Sequence, residues 1–273
     1  MKIAGLILCL LALPVFATRH IVSIGGDVTE IVYALGAGQQ LAGRDSTSIR
    51  PLQARKLPDV GYMRQLNTEG ILALKPSLVL VSEQAKPSQV LEQLSQAGVK
   101  VVPVSGENSL PAILQKITTI AAALNENVAA QPLLQQVRQQ TEAIPSHPLA
   151  IRALYIMANS GMTTLVAGNQ TAADVAIRSA GLINVMGSVP HYQPMSAEGI
   201  IAAAPDLVLM DAGGVAALGG PSNVWQLPGL AMTPAGQHQR LLYVDQMALL
   251  GFGPDTPQAI RRLRQDAEKI DAQ

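Results

Sequence analysis

Tyr62 and Arg64 lie two residues apart in a polar loop that also contains Pro58 and Gly61. In extended backbone their side chains would leave the chain on the same side. The 273 residues include only five Tyr, two Phe and one Trp, so a tyrosine in such a loop is not an obvious core residue. A phenol ionises with a pKa of about 10 in water, and a neighbouring cation or metal lowers that value. Tyr62 is therefore either a surface side chain or a phenolate ligand for a hard ferric ion.

A sixteen-residue stretch occurs twice in the chain, at a constant offset of 195 − 66 = 129 residues. Residues 66–81 read LNTEGILALKPSLVLV and residues 195–210 read MSAEGIIAAAPDLVLM, with eight identical positions and no gap. Each copy predicts a short helix that ends before a proline and leads into a buried strand. Units so far apart do not form a solenoid. They predict two similar α/β lobes.

Each copy of the repeat carries a glutamate at the same place, Glu69 in the first and Glu198 in the second. One interpretation is local: an acid in the first helical turn is favoured by the helix dipole, and Asn67 and Ser196 would be the N-caps. The other is functional, because one acid in each lobe suits a two-fold symmetric partner that presents two basic residues. The residues alone leave both interpretations open.

Composition and motifs exclude several other functions. The chain is 48% hydrophobic, 14% charged and formally neutral, without a basic run, so we expect no nucleic-acid partner. Neither a GxGxxG nor a GxSxG motif occurs, GPDTP at 253–257 fits no catalytic signature, and no nucleophile–base pair is visible. We expect no enzymatic activity. A zinc site is also not expected, because the four histidines are dispersed: His20, His147, His191 and His238.

Residues 1–17 have the pattern of a secretory signal peptide, with Lys2 before an apolar run and small residues before a cleavage site after Ala17. The alternative is an uncleaved anchor. The only cysteine, Cys9, lies in this segment, so the mature chain offers no disulfide and no thiolate. We expect a soluble periplasmic protein.

The remaining pattern predicts an α/β fold with mostly parallel sheets, because strands and helices alternate. Asp27 is expected to cap a helix over 28–35 after a strand over 20–24, and the strand and helix at 165–168 and 174–181 resemble this pair. Pro132 within the helical region 110–143 predicts two helices there. The predicted organisation, with a ligand cleft between the lobes, is 1–17 signal peptide, 18–124 N-terminal lobe, 125–145 linking helix and 146–273 C-terminal lobe.

Several stretches together resemble the haemin-binding periplasmic proteins of bacterial haem-uptake ABC transporters. They are RHIVSIGGDVTEIVYALGAG, the region RDSTS through KLPDVGYMRQLNTEGILALKPSLVLVS, TLVAGNQTAADVAIRSAGL and LLGFGPDTPQAI. The resemblance covers nearly all of the mature chain, and GYMR before the repeat helix is its most specific motif. It implies two Rossmann-like lobes joined by one long helix, with little closure on binding.

The resemblance also implies roles for particular residues. Tyr62 would be the axial ligand of the haem iron, and Arg64 would hydrogen-bond the phenolate or a haem propionate. Glu69 and Glu198 would dock onto arginines of an inner-membrane permease dimer. Asn159 is a further candidate haem contact, and it stands where some relatives carry a histidine. Because an amide is a poor ligand for ferric haem, this difference puts a two-haem mode in doubt for this chain.

Further contacts follow from the repeat and from charge. The 129-residue offset pairs Tyr62 with His191, so His191 or Tyr192 is expected to face haem from the second lobe, as a sixth ligand or a propionate contact. A position at the cleft rim without contact to iron is the alternative. Arg44, Arg50 and Arg64 are the candidate propionate partners.

The expected function is that of a monomeric carrier that takes haem in the periplasm and delivers it to an inner-membrane ABC permease. An outer-membrane haem receptor system is a candidate partner. The first alternative is a carrier of ferric siderophore or cobalamin, for which an axial phenolate has no use. The second is a periplasmic enzyme, either a haem-dependent oxidase or a hydrolase.

Overall fold

The computed structural model describes residues 20–271. The signal peptide predicted at 1–17 therefore lies outside the described residues. Within them no helix is both long enough and apolar enough to cross a membrane. The first lobe contains strands β1 Ile21–Ile24, β2 Leu41–Arg44, β3 Leu78–Ser82 and β4 Lys100–Val104, and helices α1 Gly26–Ala34, α2 Thr68–Leu72 and α3 Ser88–Gln96.

The first sheet is entirely parallel, in the order β2-β1-β3-β4. Its central strands read IVSI and LVLVS, and every residue in them is buried. Leu78 and Leu80 enter one core cluster, whereas Val79 and Val81 enter another on the opposite face. Continuous apolar strands are expected in a parallel sheet, because helices cover both of its faces.

Two helices follow, α4 Leu110–Leu124 and α5 Asn127–Glu142. The prediction of two helices is correct, but its reason is wrong. The chain breaks at Asn125, which adopts the left-handed conformation at φ 64°, and Pro132 lies inside α5. Asn tolerates this conformation better than most residues, whereas a proline removes one helical hydrogen bond. The missing N–H of Pro132 would have donated to the Val128 carbonyl. Val128 is 87% exposed, so water can bind this carbonyl instead.

The second lobe contains a six-stranded sheet in the order β10-β9-β5-β6-β8, with β7 paired to β5. The strands are β5 Arg152–Met157, β6 Leu165–Ala167, β7 Ile183–Asn184, β8 Tyr192–Pro194, β9 Leu207–Met210 and β10 Leu241–Tyr243. The helices are α6 Ala172–Ser179, α7 Ala197–Ala203, α8 Ala212–Ala217, α9 Pro221–Val224, α10 Pro234–Gln237, α11 Gln246–Leu250 and α12 Thr256–Asp271.

The second lobe repeats the first and adds two strands. Parallel pairing joins β7, β5, β9 and β10 in the same way as β2, β1, β3 and β4, and the repeated sequence forms α2–β3 and α7–β9. The expected match of residues 165–168 to the first strand is wrong, because β6 runs antiparallel to β5. The counterpart of β1 is β5, and β6 and β8 form an antiparallel addition.

The expectation that Asp27 caps α1 is wrong. Gly25, not Asp27, is the N-cap of α1, and Asp27 instead forms an ion pair with Lys116 of α4.

The lobe boundaries remain predictions. Helix α5 lies within the predicted linker 125–145, and its buried residues Ala130, Leu134 and Val137 join the core cluster that contains β1 and α1.

Glu30 of α1 is a buried carboxyl group beside Arg50, with 3.6 Å between Glu30 Oε1 and Arg50 Nε. Burial raises the pKa of Glu30 from 4.5 to about 7. The positive charge of Arg50 lowers this pKa, whereas the neighbouring acids Asp255, Asp27 and Asp245 raise it. The folded protein therefore holds this proton more tightly than the unfolded chain. The resulting stabilisation is complete below pH 4.5 and is lost as the pH rises through 7.

We predict that Glu30→Gln makes the protein more stable than the wild type at pH 8 and leaves it nearly unchanged at pH 4.5. The expected gain in the free energy of unfolding is at most about 3 kcal/mol, because the variant cannot ionise. Urea denaturation across this pH range measures it. Glu92→Gln, at an exposed position, is the matched control. An equal effect of Glu30→Gln at both pH values would contradict the prediction.

Candidate functional site

A cavity of about 820 Å³ lies between the two lobes, a volume typical of small-molecule sites. It is bounded by the loops that follow strand ends in both sheets, as expected for parallel α/β sheets. The first lobe contributes Gly26, Asp27, Thr47, Tyr62, Met63, Arg64, Ser82, Gln84, Lys86, Asn108 and Lys116. The second contributes Met157, Gln170, Thr171, Ala172, His191, Tyr192, Gln246, Met247, Leu250 and Gly251.

Tyr62 lies at the start of a tight turn in which the Gln65 N–H donates to the Tyr62 carbonyl at 2.8 Å. Lys86 anchors this turn through its backbone: its N–H donates to the Met63 carbonyl at 2.8 Å, and its carbonyl accepts from Leu66 N–H at 3.0 Å. The side chains of Met63 and Leu66 are buried in the core. The phenol of Tyr62 remains 40% exposed and borders the cavity.

Arg44 supports this loop from behind. Its guanidinium donates to Asp59 Oδ2 at 2.8 Å, and Asp59 Oδ1 accepts from the Gly61 N–H and from the Ser46 hydroxyl, each at 2.9 Å. Arg44 is not part of the cavity lining. The expectation that it contacts a propionate is therefore corrected, because its charge is already paired with Asp59.

Arg64 faces the cavity beside Tyr62. Its guanidinium donates to the Tyr62 hydroxyl at 3.4 Å and to Gln84 Oε1 at 3.3 Å. A turn brings the two side chains together, not the extended backbone that the two-residue spacing indicated. Arg64 also acts across the cavity: burial raises the pKa of Tyr192 on the opposite wall, and the charge of Arg64 lowers it. The guanidinium therefore lies within electrostatic reach of both phenols.

His191 and Tyr192 line the opposite wall, as the 129-residue offset predicted. His191 adopts φ 58°, and its N–H donates to the Asn169 carbonyl while its carbonyl accepts from Gly168, each at 2.8 Å. Gly168 is required here, because a Cβ would lie 2.1 Å from the Val189 carbonyl oxygen. Tyr192 begins β8, which pairs with β6.

Arg50 and Asn159 do not reach this cavity. Arg50 donates to Asp245 at 2.8 Å and to Asp255 at 2.7 Å, so it binds carboxylates of the chain itself. Asn159 lies in the loop after β5, where its carbonyl accepts from Met162 N–H. The structure thus corrects their expected position at the ligand.

Several cavity residues were not predicted. Lys86 is an exposed cation beyond the end of β3, where parallel sheets bind ligands, so strand direction could have indicated it. Met157, Met247 and Leu250 supply apolar wall, and no sequence pattern distinguishes them from core residues. Within residues 20–271 no group of three or more His, Cys, Asp or Glu side chains could hold a metal ion.

Glu69 and Glu198 are exposed and lie in the first turns of α2 and α7. Asn67 Oδ1 accepts from Glu69 N–H at 2.8 Å, and Ser196 Oγ accepts from Gly199 N–H at 3.2 Å, so both predicted N-caps are present. Neither carboxylate has a hydrogen-bond or ion-pair partner among the described residues. Both are therefore free to contact another molecule.

Residues 21–248 match the model of the periplasmic binding protein family, Peripla_BP_2, and the chain belongs to this family. Its solved structures include close matches to this chain. The periplasmic heme-binding protein RhuT from Roseiflexus sp. RS-1 is 37% identical, with a TM-score of 0.86 over 92% of this chain and 98% of that one. The periplasmic heme-binding protein BhuT, solved with two hemes, is 36% identical with the same TM-score and coverage.

A second group of relatives has another ligand. A vitamin B12-binding protein of Yersinia pestis (strain Pestoides F) is 30% identical over 167 residues, which is 61% of this chain. The matched stretch spans only about 57% of the length of that relative.

We predict that Arg64→Met raises the pKa of Tyr192 further and that Arg64→Lys raises it less, because Arg64 opposes the effect of burial on this phenol. NMR of ¹³C-labelled tyrosine rings during an alkaline titration measures it. Tyr33 is the internal control, because its pKa is raised by burial alone. An unchanged Tyr192 titration in Arg64→Met would contradict the inferred proximity.

Proposed function

We propose that this protein binds haem in the inter-lobe cavity and delivers it to an inner-membrane ABC permease. It acts in the periplasm, after removal of residues 1–17, and it carries its ligand without chemical conversion. The observation that carries the proposal is the exposed phenol of Tyr62, which borders a cavity of about 820 Å³ beside the guanidinium of Arg64.

The chemistry of ferric haem suits this pair. Tyrosine is a known axial ligand of haem iron, bound as the phenolate. The Arg64 guanidinium already donates to the Tyr62 hydroxyl at 3.4 Å, so it can donate a hydrogen bond to the iron-bound phenolate or to a propionate.

The rest of the cavity suits the porphyrin. Haem is largely apolar with two carboxylates at one edge, and Met63, Met157, Met247 and Leu250 offer apolar wall. Arg64 and the exposed Lys86 are the cations available to the propionates, because Lys116 is buried in its ion pair with Asp27. His191 or Tyr192 then contacts the haem from the second lobe, as a sixth ligand or at a propionate.

Cobalamin and ferric siderophores are the competing ligands, and the vitamin B12-binding relatives give cobalamin some support. A phenolate has no role for either one, because cobalt in cobalamin does not need it and an intact ferric siderophore leaves no open position. Similarity to RhuT and BhuT over more than nine-tenths of the chain supports haem over these alternatives.

The two free carboxylates of Glu69 and Glu198 support the proposed docking partner. Glu69 and Glu198 occupy equivalent first turns of α2 and α7, so the protein offers one acid in each lobe as a monomer. A permease dimer that presents two basic residues matches this arrangement. An outer-membrane haem receptor system would supply the haem.

We predict that Tyr62→Phe weakens haemin binding at least tenfold, which is about 1.4 kcal/mol, and removes the phenolate-type absorbance of the ferric complex. The physical reason is that phenylalanine keeps the ring but cannot coordinate iron. An optical titration with haemin, and a parallel one with cyanocobalamin, measures both ligands. His191→Ala in the same titration shows whether the second lobe also contributes a ligand.

Tyr243→Phe is the matched control, because Tyr243 is an exposed tyrosine that does not line this cavity. Wild-type affinity and spectrum in Tyr62→Phe would refute the proposed ligand. Binding of cyanocobalamin but not haemin would refute the proposed function and favour the cobalamin carrier.

We predict that Glu69→Arg combined with Glu198→Arg abolishes haem transport into reconstituted permease vesicles and leaves haemin affinity unchanged. Each substitution replaces an attraction to a basic partner by repulsion, and both positions lie outside the cavity. Glu92→Arg, another exposed glutamate, is the control. Normal transport by the double variant would exclude this docking surface.

A further inference from the structure

The GFGPDTP sequence at 251–257, which fits no catalytic motif, has a structural position that the proposed function does not use. Its first five residues end a segment of residues 245–255, called the clasp segment here, that contains α11 and follows the second lobe's β10. The apolar side chains of this segment go in two directions. Leu249 belongs to the core cluster of the second lobe, whereas Phe252 is fully buried in the core cluster of the first lobe.

A buried ion pair between Lys116 and Asp27 also contacts the backbone of Phe252. The Lys116 ammonium of α4 donates to the Phe252 carbonyl at 3.2 Å and to Asp27 Oδ2 at 2.6 Å. Lys116 is 1% exposed, so neither bond is exchanged readily for water. Phe252 itself adopts φ 50°, which turns this carbonyl toward the first lobe without a glycine.

Both ends of the clasp segment are also tied to the first lobe. The Arg50 guanidinium donates to Asp245 at 2.8 Å and to Asp255 at 2.7 Å. One planar guanidinium can hold two carboxylates at once, which fixes their separation as well as their position.

Glycines allow the clasp segment to lie directly on α1. A Cβ at Gly253 would lie 2.7 Å from Glu30 Oε2, and a Cβ at Gly26 would lie 3.0 Å from the Met247 methyl carbon. A larger side chain at Gly253 would therefore have to displace the Glu30 carboxyl group. Met247, Leu250 and Gly251 of the same segment line the inter-lobe cavity.

We infer that the clasp segment fastens the two lobes together and sets the distance between the cavity walls, with Phe252, Lys116 and Arg50 as positioning residues. The segment belongs to the second lobe by chain order but is held by core, backbone and charge contacts of the first. This fastening would be the physical basis of the limited closure that the resemblance implies, and it would set how fast a ligand leaves the cavity. The consequence for haem exchange rests on the proposed function, whereas the fastening itself does not.

Inter-lobe distances test the fastening directly. The mature chain lacks cysteine, so spin labels at Gln89→Cys in α3 and Ser222→Cys in α9, both exposed, report one distance by electron–electron double resonance. We expect a narrow distribution that is the same with and without haemin. Phe252→Leu, Lys116→Met and Arg50→Gln should each broaden it in the ligand-free protein. Lys269→Met, which removes an exposed ion pair with Asp266, should not.

A double variant separates fastening from general loss of stability. Lys116→Met leaves Asp27 buried without its cation, and adding Asp27→Asn removes that unpaired charge. We expect Lys116→Met/Asp27→Asn to regain thermal stability but to keep the broad distribution, because the Phe252 carbonyl still lacks its donor. A narrow, wild-type distribution in this folded double variant and in Arg50→Gln would overturn the inference.

Haem exchange is the second readout. We expect haemin to dissociate at least about fivefold faster from Arg50→Gln and from Phe252→Leu, whose side chains do not line the cavity. About fivefold is the lower end of measured coupling between distant sites. Unchanged dissociation together with broadened distances would show that the walls held by the clasp segment do not control exchange, and would overturn that part of the inference. Failure of the wild type to bind haemin would refute the proposed function, and the distance measurements would still decide the fastening.

Discussion

The backbone pairing between Lys86 and the turn at Tyr62 is the contact on which the site depends. Two hydrogen bonds join Lys86 to Met63 and Leu66, whose side chains are buried beneath the turn. A phenol on a loop would otherwise lose considerable conformational entropy when it binds a ligand. Here the core fixes the loop, because the apolar side chains of Met63 and Leu66 are buried in it. The parallel sheet thus presents the Tyr62 phenol at the edge where such sheets bind their ligands.

Some cations of this protein are paired with its own carboxylates, whereas others border the cavity without such a partner among the described residues. Lys116 and Arg50 face carboxylates of the chain, and Arg44 is committed to Asp59. Removing one member of a buried pair leaves an uncompensated charge, which is far more costly than losing an exposed pair. Arg64 and Lys86 have no carboxylate partner among the described residues and border the cavity. An anionic ligand therefore meets these cations without breaking any internal ion pair.

Local structure could be predicted from the sequence, whereas the pairing of distant charges could not. The repeated helix and strand were predictable, because apolar residues, N-caps and a following proline all specify the same local structure. The cavity position of His191 followed from the repeat offset alone. Arg44 and Arg50 were misplaced, because sequence shows that a cation exists but not that a distant carboxylate already neutralises it. A strand at 165–168 was predicted, but the antiparallel pairing of β6 with β5 and β8 was not, because β6 and β8 have three residues each and their pairing depends on contacts outside their own segments.

The same repeat shows how one scaffold can serve two surfaces. In each lobe seven positions separate the cavity residue from the exposed glutamate, Tyr62 from Glu69 and His191 from Glu198. The N-cap residues Asn67 and Ser196 lie between them and fix where the loop ends and the helix begins. The helix sides of the two lobes remain alike, whereas the added strands change the cavity side, where Tyr62 starts a turn and His191 precedes β8. The two lobes are therefore alike at their exposed helices and differ at the cavity, so the repeat preserves the outer surface while the cavity walls diverge.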